Sequence, residues 1–294
     1  MTRIAFIGLG NMGGGMAARL VGAGHEVAAF DLSAEALKRA AARGCTPAAS
    51  AREAVATAEA VITMLPAGPQ VRAVYAADIL GVAPAGALLI DGSTIDVESA
   101  RQVAGEASAA GYVFADAPVS GGTAGAEAGT LAFMVGCDEA ALPRIEALLA
   151  PMARVVLRAG DHGAGQAAKI CNNMLLGISM IGTCEAFALA ERLGLEPDKF
   201  FEIASKSSGQ CWSLTSYSPW PGLVETAPSN RDYAGGFAVA MMLKDLKLAQ
   251  AAAAASGAST PLGAQAEALY ALWDRLGNSG KDFSSMLELL RGEV

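Results

Sequence analysis

Short, unbroken apolar runs punctuate the first half of the chain. They are Ile4-Ala5-Phe6-Ile7, Val27-Ala28-Ala29-Phe30, Ala60-Val61-Ile62-Thr63-Met64, Ala87-Leu88-Leu89-Ile90 and Leu131-Ala132-Phe133-Met134-Val135. Runs this short, without polar alternation, predict strands covered on both faces, as in a parallel sheet flanked by helices. Residues 112–116 and 154–157 predict two more strands. Helical patterns fall between them at 34–43, 69–77 and 96–110, the last opened by Asp96 and Glu98. A sheet wound in this way binds its ligand beyond the carboxyl ends of its strands.

From residue 163 the strand pattern stops. Helical periodicity runs unbroken over 163–193, with apolar residues on nearly every side, so this segment is expected to run through the middle of a helical bundle. Gly194 ends it and Pro197 opens the next helix. Further helices are predicted at 197–205, 238–255, 263–276 and 284–291. The stretch 209–236, rich in Pro, Trp, Tyr and Gly, is too long for a plain connection and is expected to carry contacts. The uncharged part of the long helix, 170–184, includes Asn172 and Asn173 and falls short of the roughly 20 residues that cross a bilayer. It reads as a core helix of a soluble protein. The chain therefore divides into domains at 1–161 and 162–294.

The turn after the first strand is Gly8-Leu9-Gly10-Asn11-Met12-Gly13, and it leads into the helical Met16-Ala17-Ala18-Arg19-Leu20. The second strand then ends at Asp31. Strand, glycine turn, helix, strand and acid in this order form a dinucleotide-binding unit. Gly8 allows the tight turn, Gly10 lets the backbone approach a pyrophosphate, and Gly13 lets the helix pack on the strand. Asp31 would accept hydrogen bonds from the adenosine ribose hydroxyls. A carboxylate there repels a 2′-phosphate, and the following Leu32-Ser33 offers no arginine to receive one, so NAD is expected over NADP. The fold class that results is α/β, a doubly wound Rossmann-type sheet followed by an all-α domain with a long central helix.

Composition narrows the partners. A net charge of −8 over 294 residues excludes a basic nucleic-acid face, and 53% apolar with 17% charged residues describes a well-buried chain. Cys45, Cys137, Cys171, Cys184 and Cys211 are scattered, and they read as buried thiols in a reducing compartment. Met1-Thr2-Arg3 leads straight into the first strand. A cytoplasmic protein, with no membrane partner, is expected.

An oxidation with NAD needs a group to handle the accompanying proton. His25 precedes the second strand, at the wrong end of the sheet, and His162 reads as a surface residue at the domain junction. No metal-ligand spacing is present. Lys169 leads into the uncharged stretch 170–184, and desolvation would lower its pKa from about 10.4 toward the range of a general base. Asn173 lies one turn on, about 40° around the same face, so both side chains can converge, with Asn172 as second choice. Spacing alone leaves open a lysine snorkelling beside a packing asparagine.

Asp116-Ala117-Pro118-Val119-Ser120-Gly121-Gly122-Thr123 follows a strand, and its amides and Ser120 hydroxyl could cradle a carboxylate or simply form a glycine turn. Thr94 in Asp91-Gly92-Ser93-Thr94 could sit near a nicotinamide, or Ser93 and Thr94 could cap the next helix. Leu65-Pro66 would line the adenosine-ribose side. Lys244-Asp245 could be a surface ion pair or a clamp in the site.

Taken together, Phe6 to Gly13, Asp116 to Gly122, and Gly163-Ala164-Gly165-Gln166-Ala167-Ala168-Lys169-Ile170-Cys171-Asn172-Asn173 closely resemble the β-hydroxyacid dehydrogenase family, over essentially the whole chain. The stretch from Trp220-Pro221-Gly222 to Met242-Leu243-Lys244-Asp245-Leu246 narrows the resemblance to the branch whose substrate is 3-hydroxyisobutyrate, an intermediate of valine degradation. The resemblance implies a catalytic lysine at Lys169 and a substrate-orienting amide at Asn173. It implies a substrate site at Ser120, Gly121 and Gly122, with Thr94 and Lys244 near nicotinamide and substrate. Asp245, Trp212 and Tyr217 would line the pocket, and a homodimer or homotetramer is implied. Gly15 stands where the family commonly has proline, and Gln210 where relatives often have arginine. The same chemistry on tartronate semialdehyde, glycerate or serine, or a non-catalytic cofactor-binding module, are the alternatives.

Overall fold

The computed structural model describes residues 1–292, which form two compact units, Met1–Lys169 and the described residues from Ile170 onward. The first is a nine-stranded sheet with helices on both faces. Its elements are β1 (Arg3–Ile7), α1 (Gly13–Gly22), β2 (Glu26–Phe30), α2 (Ala34–Ala41), β3 (Thr46–Pro47), α3 (Ala51–Val55), β4 (Ala60–Thr63) and α4 (Gly68–Val74). There follow β5 (Leu88–Asp91), α5 (Val97–Ala109), β6 (Val113–Asp116), β7 (Val119–Ser120), α6 (Gly122–Ala128), β8 (Leu131–Gly136), α7 (Leu142–Leu149) and β9 (Ala153–Gly160).

Strand order is β3-β2-β1-β4-β5-β6, all parallel, which is the doubly wound arrangement with its switch point between β1 and β4. The apolar runs are unbroken because both faces are buried. Ile4, Phe6, Ile62 and Ile90 pack into one core with Met16 and Leu20 of α1. Their neighbours Ala5, Ile7, Val61 and Leu89 pack into the other with Val55, Val71 and Val103.

The expectation of a wholly parallel sheet needs correction. β8 runs antiparallel to β6 and β7, and only β9 returns parallel to β8. Asp116 faces Gly136, Val119 faces Phe133 and Ser120 faces Ala132, so β6 and β7 form one ladder interrupted at Pro118. A parallel return needs a crossover of a dozen or more residues over the sheet. Here α6 ends at Gly129 in the left-handed conformation, and the chain turns back beside the strand it left.

The second unit is helical. α8 (Ala164–Arg192) begins in the first unit and supplies its first long helix, followed by α9 (Pro197–Ala204), α10 (Trp212–Thr215), α11 (Val239–Ser256), α12 (Pro261–Trp273) and α13 (Met286–Arg291). Met180, Ile181, Cys184 and Phe187 of α8 share a core with Met242 and Leu246 of α11 and with Tyr270 and Trp273 of α12. The helix differs from its expectation in two ways. It is long and apolar enough to cross a membrane by composition, although 44% of its apolar window is buried inside the protein. It is also not enclosed on every side, since Leu175 and Leu189 are exposed. The cysteines differ too: Cys45, Cys137 and Cys184 are buried, Cys211 is half-buried and Cys171 is exposed.

Candidate active site

Gly8 leaves β1 with φ +96°, and a Cβ there would overlap the Met64 carbonyl oxygen. A Cβ on Gly13 would overlap the Gly8 carbonyl in the same way. Around Gly10 nothing lies within 4 Å of the Cβ position, so the turn is open on the side where a pyrophosphate would approach. α1 starts at Gly13 with neither a side-chain cap nor an acid in its first turn, which leaves its first amides available to an anion. Leu9 and Asn11 complete the turn beside Met12, the cap position.

Asp31 follows β2 and ties the turn to it. One carboxylate oxygen accepts the Leu9 N–H at 2.6 Å and the other accepts the Ser33 N–H at 2.7 Å. Each oxygen keeps a lone pair for a ribose hydroxyl. These residues fit an NAD molecule. Gly15 is buried against α6, and a Cβ there would lie 3.1 Å from Ala126 and from Glu127 Oε1.

Three buried polar residues end β4, β5 and β6 in register: Thr63 faces Asp91, and Asp91 faces Asp116. Asp91 Oδ1 accepts hydrogen bonds from Thr63 Oγ1 at 2.7 Å and from Ser93 Oγ at 2.6 Å. Burial pushes its pKa up to about 6, against the opposing effect of those donors. Ser93 Oγ also accepts the Leu65 N–H at 2.7 Å, which fixes the half-buried Leu65 and the exposed Pro66 after β4. Ser93 is therefore not a helix cap. Asp96 caps α5 instead, its Oδ1 accepting the Ser99 N–H at 2.8 Å. Thr94 sits half-buried between Ser93 and Ile95.

Asp116 caps the long helix from outside. Its carboxylate accepts the Gly163 N–H at 2.7 Å and the Gln166 N–H at 3.0 Å, and burial raises its pKa. Gly165 is required here, because a Cβ would overlap the Met134 carbonyl and press on Asp116. His162 is half-buried, with Nε2 3.1 Å from the Phe114 carbonyl, so it packs within the first unit rather than standing at the surface of a junction.

Lys169 follows on α8 and is 6% exposed. One turn further along that helix, Asn173 is 2% exposed and donates through Nδ2 to Asp245 Oδ2 at 2.5 Å. Asn172 donates to Asn173 Oδ1 at 3.0 Å, so it supports its neighbour. Asp245 is itself buried on α11, which excludes the surface ion-pair reading, and Lys244 beside it is half-buried.

The Ser120-Gly121-Gly122 turn has φ +135° at Gly121 and +61° at Gly122, successive left-handed residues that let neighbouring amides converge. Ser120 is half-buried and α6 begins at Gly122 without a side-chain cap. In the helical unit, Trp212 stacks on Tyr217 with ring centroids 4.8 Å apart. Tyr217 donates to the buried Asp282 at 2.8 Å, and burial first, then the Asp282 charge, raises its pKa. Asp282 also accepts from Phe237 N–H and from Ser284, so it anchors the long loop. Sequence reasoning missed Asp282 and the structural roles of Asp116 and Gln166. The motif around Lys169 contained Gln166, but nothing in its spacing revealed a partner.

Fold and site together define an NAD-binding dehydrogenase. Residues 3–160 match the family model described as the NAD binding domain of 6-phosphogluconate dehydrogenase. Residues 163–290 match that described as NAD-binding of NADP-dependent 3-hydroxyisobutyrate dehydrogenase. A 3-hydroxyisobutyrate dehydrogenase of Pseudomonas aeruginosa is 51% identical over the full length of both chains. An NAD-dependent L-serine dehydrogenase of the same organism is 49% identical over 98% of each. A solved structure of Mycobacterium tuberculosis 3-hydroxyisobutyrate dehydrogenase with L-serine superimposes with TM-score 0.95 at 49% identity, covering 99% of both chains. The chain belongs to the 3-hydroxyisobutyrate dehydrogenase family.

Proposed function

We propose that this protein oxidises 3-hydroxyisobutyrate to methylmalonate semialdehyde with NAD, using Lys169 as general base. The observation that carries the reading is a lysine 6% exposed to solvent, one turn ahead of a buried asparagine, on a helix whose first turn Asp116 caps. When bound, NAD supplies the hydride acceptor. Lys169 takes the proton of the substrate hydroxyl, and Asn173, itself oriented by Asp245, donates to that hydroxyl oxygen. The amides of Gly121 and Gly122 and the Ser120 hydroxyl receive the substrate carboxylate. The family resemblance assigns Thr94 and Lys244 to nicotinamide and substrate, and Trp212 and Tyr217 to the substrate pocket. Asp31, Leu65 and Pro66 hold the adenosine ribose, and the Asp31 carboxylate supports NAD over NADP.

L-Serine differs from 3-hydroxyisobutyrate at one substituent, an ammonium in place of a methyl. The relative named for serine and the neighbouring structure with L-serine make it the comparison substrate. Initial rates with 3-hydroxyisobutyrate, L-serine and glycerate, each with NAD and with NADP, test the proposal. The highest kcat/KM is expected for 3-hydroxyisobutyrate with NAD. A preference for serine or glycerate removes the substrate assignment, and no NADH from any acid removes the activity.

The exposed Leu175, Leu189, Leu193, Ile203, Leu262 and Leu272 all belong to the helical unit and support a homo-oligomer. Light scattering is expected to give a mass at a multiple of 29.7 kDa. A monomer would overturn this.

A further inference from the structure

Gln166 is completely buried and lies three residues before Lys169 on α8. Its side-chain amide uses both ends on one short piece of backbone. Nε2 donates to the Ser93 carbonyl at 2.8 Å, and Oε1 accepts the Ile95 N–H at 3.1 Å. These two groups bracket Thr94. Ser93 in turn holds Leu65, and the Gln166 backbone N–H is held by Asp116. A single neutral amide thus ties the loop after β5 to the helix that carries Lys169.

We propose that Gln166 is a positioning residue for the reaction, fixing the Ser93–Ile95 backbone, and Thr94 with it, at a set offset from Lys169. The inference rests on the roles given above to Lys169 and Thr94. No other uncharged side chain of this length both donates and accepts, so the tether depends on amide chemistry. Displacement of reacting groups by about 1 Å costs on the order of 100-fold in rate.

Two variants test it. Gln166→Met keeps length and burial but removes both hydrogen bonds. Its kcat is expected to fall on the order of 10- to 100-fold, with KM for the hydroxy acid and Kd for NAD, read by fluorescence titration, within a few-fold of wild type. Gln166→Glu adds a signature that loosened packing would not give. A carboxylate there faces the Ser93 carbonyl with no proton to donate, whereas the protonated acid donates to Ser93 and accepts from Ile95 as the amide does. The ratio of variant to wild-type kcat is therefore expected to rise as pH falls from about 9 to about 6. Asp91, Asp116 and Lys169 titrate in both proteins, so the ratio removes their common contribution and leaves that of the new carboxylate, its repulsion of Asp116 included.

Hydrogen exchange separates failure of this inference from failure of the activity. Peptides spanning residues 92–97 are expected to exchange faster in Gln166→Met, while those of β5 itself stay unchanged. Unchanged kcat in Gln166→Met, a flat Gln166→Glu ratio, or unchanged exchange would each overturn the tether. If exchange accelerates but the wild type turns over no hydroxy acid, the tether stands and its catalytic purpose falls.

Discussion

Asp116 accepts the Gly163 N–H at 2.7 Å, a hydrogen bond across 47 positions that caps the long helix from the end of a strand. The Gln166 N–H makes a second such bond to the same carboxylate. In Asp116→Ala both donors are buried without partners, at about 1–3 kcal/mol each. Asp116→Asn keeps one acceptor and is expected to lose roughly half as much. Thermal unfolding should rank wild type, Asn and Ala in that order. A similar Tm for all three would show that the cap contributes nothing.

Lys169 is assigned the proton, which separates its role from cofactor binding. Lys169→Ala is expected to lower kcat on the order of 100- to 10,000-fold, with NAD affinity by fluorescence titration unchanged. Lys169→Arg should not rescue it, because a guanidinium stays protonated and accepts nothing. Turnover near the wild-type level in either variant would remove the lysine from the mechanism.

The five strands β1, β2, β4, β5 and β8 were legible as apolar runs because burial on both faces leaves no room for alternation. The glycine turn and Asp31 were legible because they follow one another along the chain, and Lys169 because an ammonium is conspicuous at the head of the uncharged stretch 170–184. What stayed hidden has physical reasons. β7 carries Pro118 and glycines at its edges and reads as a turn, while α6 contains Gly122 and Gly125, poor helix formers. β3 is two residues long, and nothing local in α3 or α7 outweighed their brevity. The antiparallel direction of β8 depends on pairing, which no single segment encodes. Asp116, Gln166 and Asp282 find Gly163, Ser93 and Tyr217 at 47, 73 and 65 positions away, and no spacing announces those pairs.

Asp31 governs which dinucleotide is accepted. Asp31→Ser removes a charged acceptor that also holds the Leu9 N–H. A hydrogen bond to a charged group contributes about 1.5–3 kcal/mol, so Kd for NAD is expected to rise on the order of 10- to 100-fold. Kd for NADP should change less or fall, because the repulsion of a 2′-phosphate goes with the carboxylate. Titration of both cofactors against both proteins checks this. Equal wild-type affinity for NAD and NADP would strip Asp31 of its selective role.

Asp91 makes stability depend on pH. Its pKa is about 6 in the folded protein against an ordinary 3.8, since burial outweighs the hydrogen bonds from Thr63 and Ser93. Between those values the folded state holds a proton that the unfolded state has released. The contribution of this group is therefore complete below about 3.8 and is lost as pH rises through about 6, a difference of about 3 kcal/mol by pH 8. Asp91→Asn keeps an acceptor for Thr63 and Ser93 and cannot ionise. Its stability relative to wild type, from urea unfolding, is expected to climb between pH 4 and pH 8 and to favour the variant at the upper end. Asp116, whose pKa is also raised, is present in both proteins and adds to the rise at Asp91, so the difference includes relief of the repulsion between the two carboxylates. A difference that does not change with pH would mean that Asp91 ionises in place as readily as it does in water.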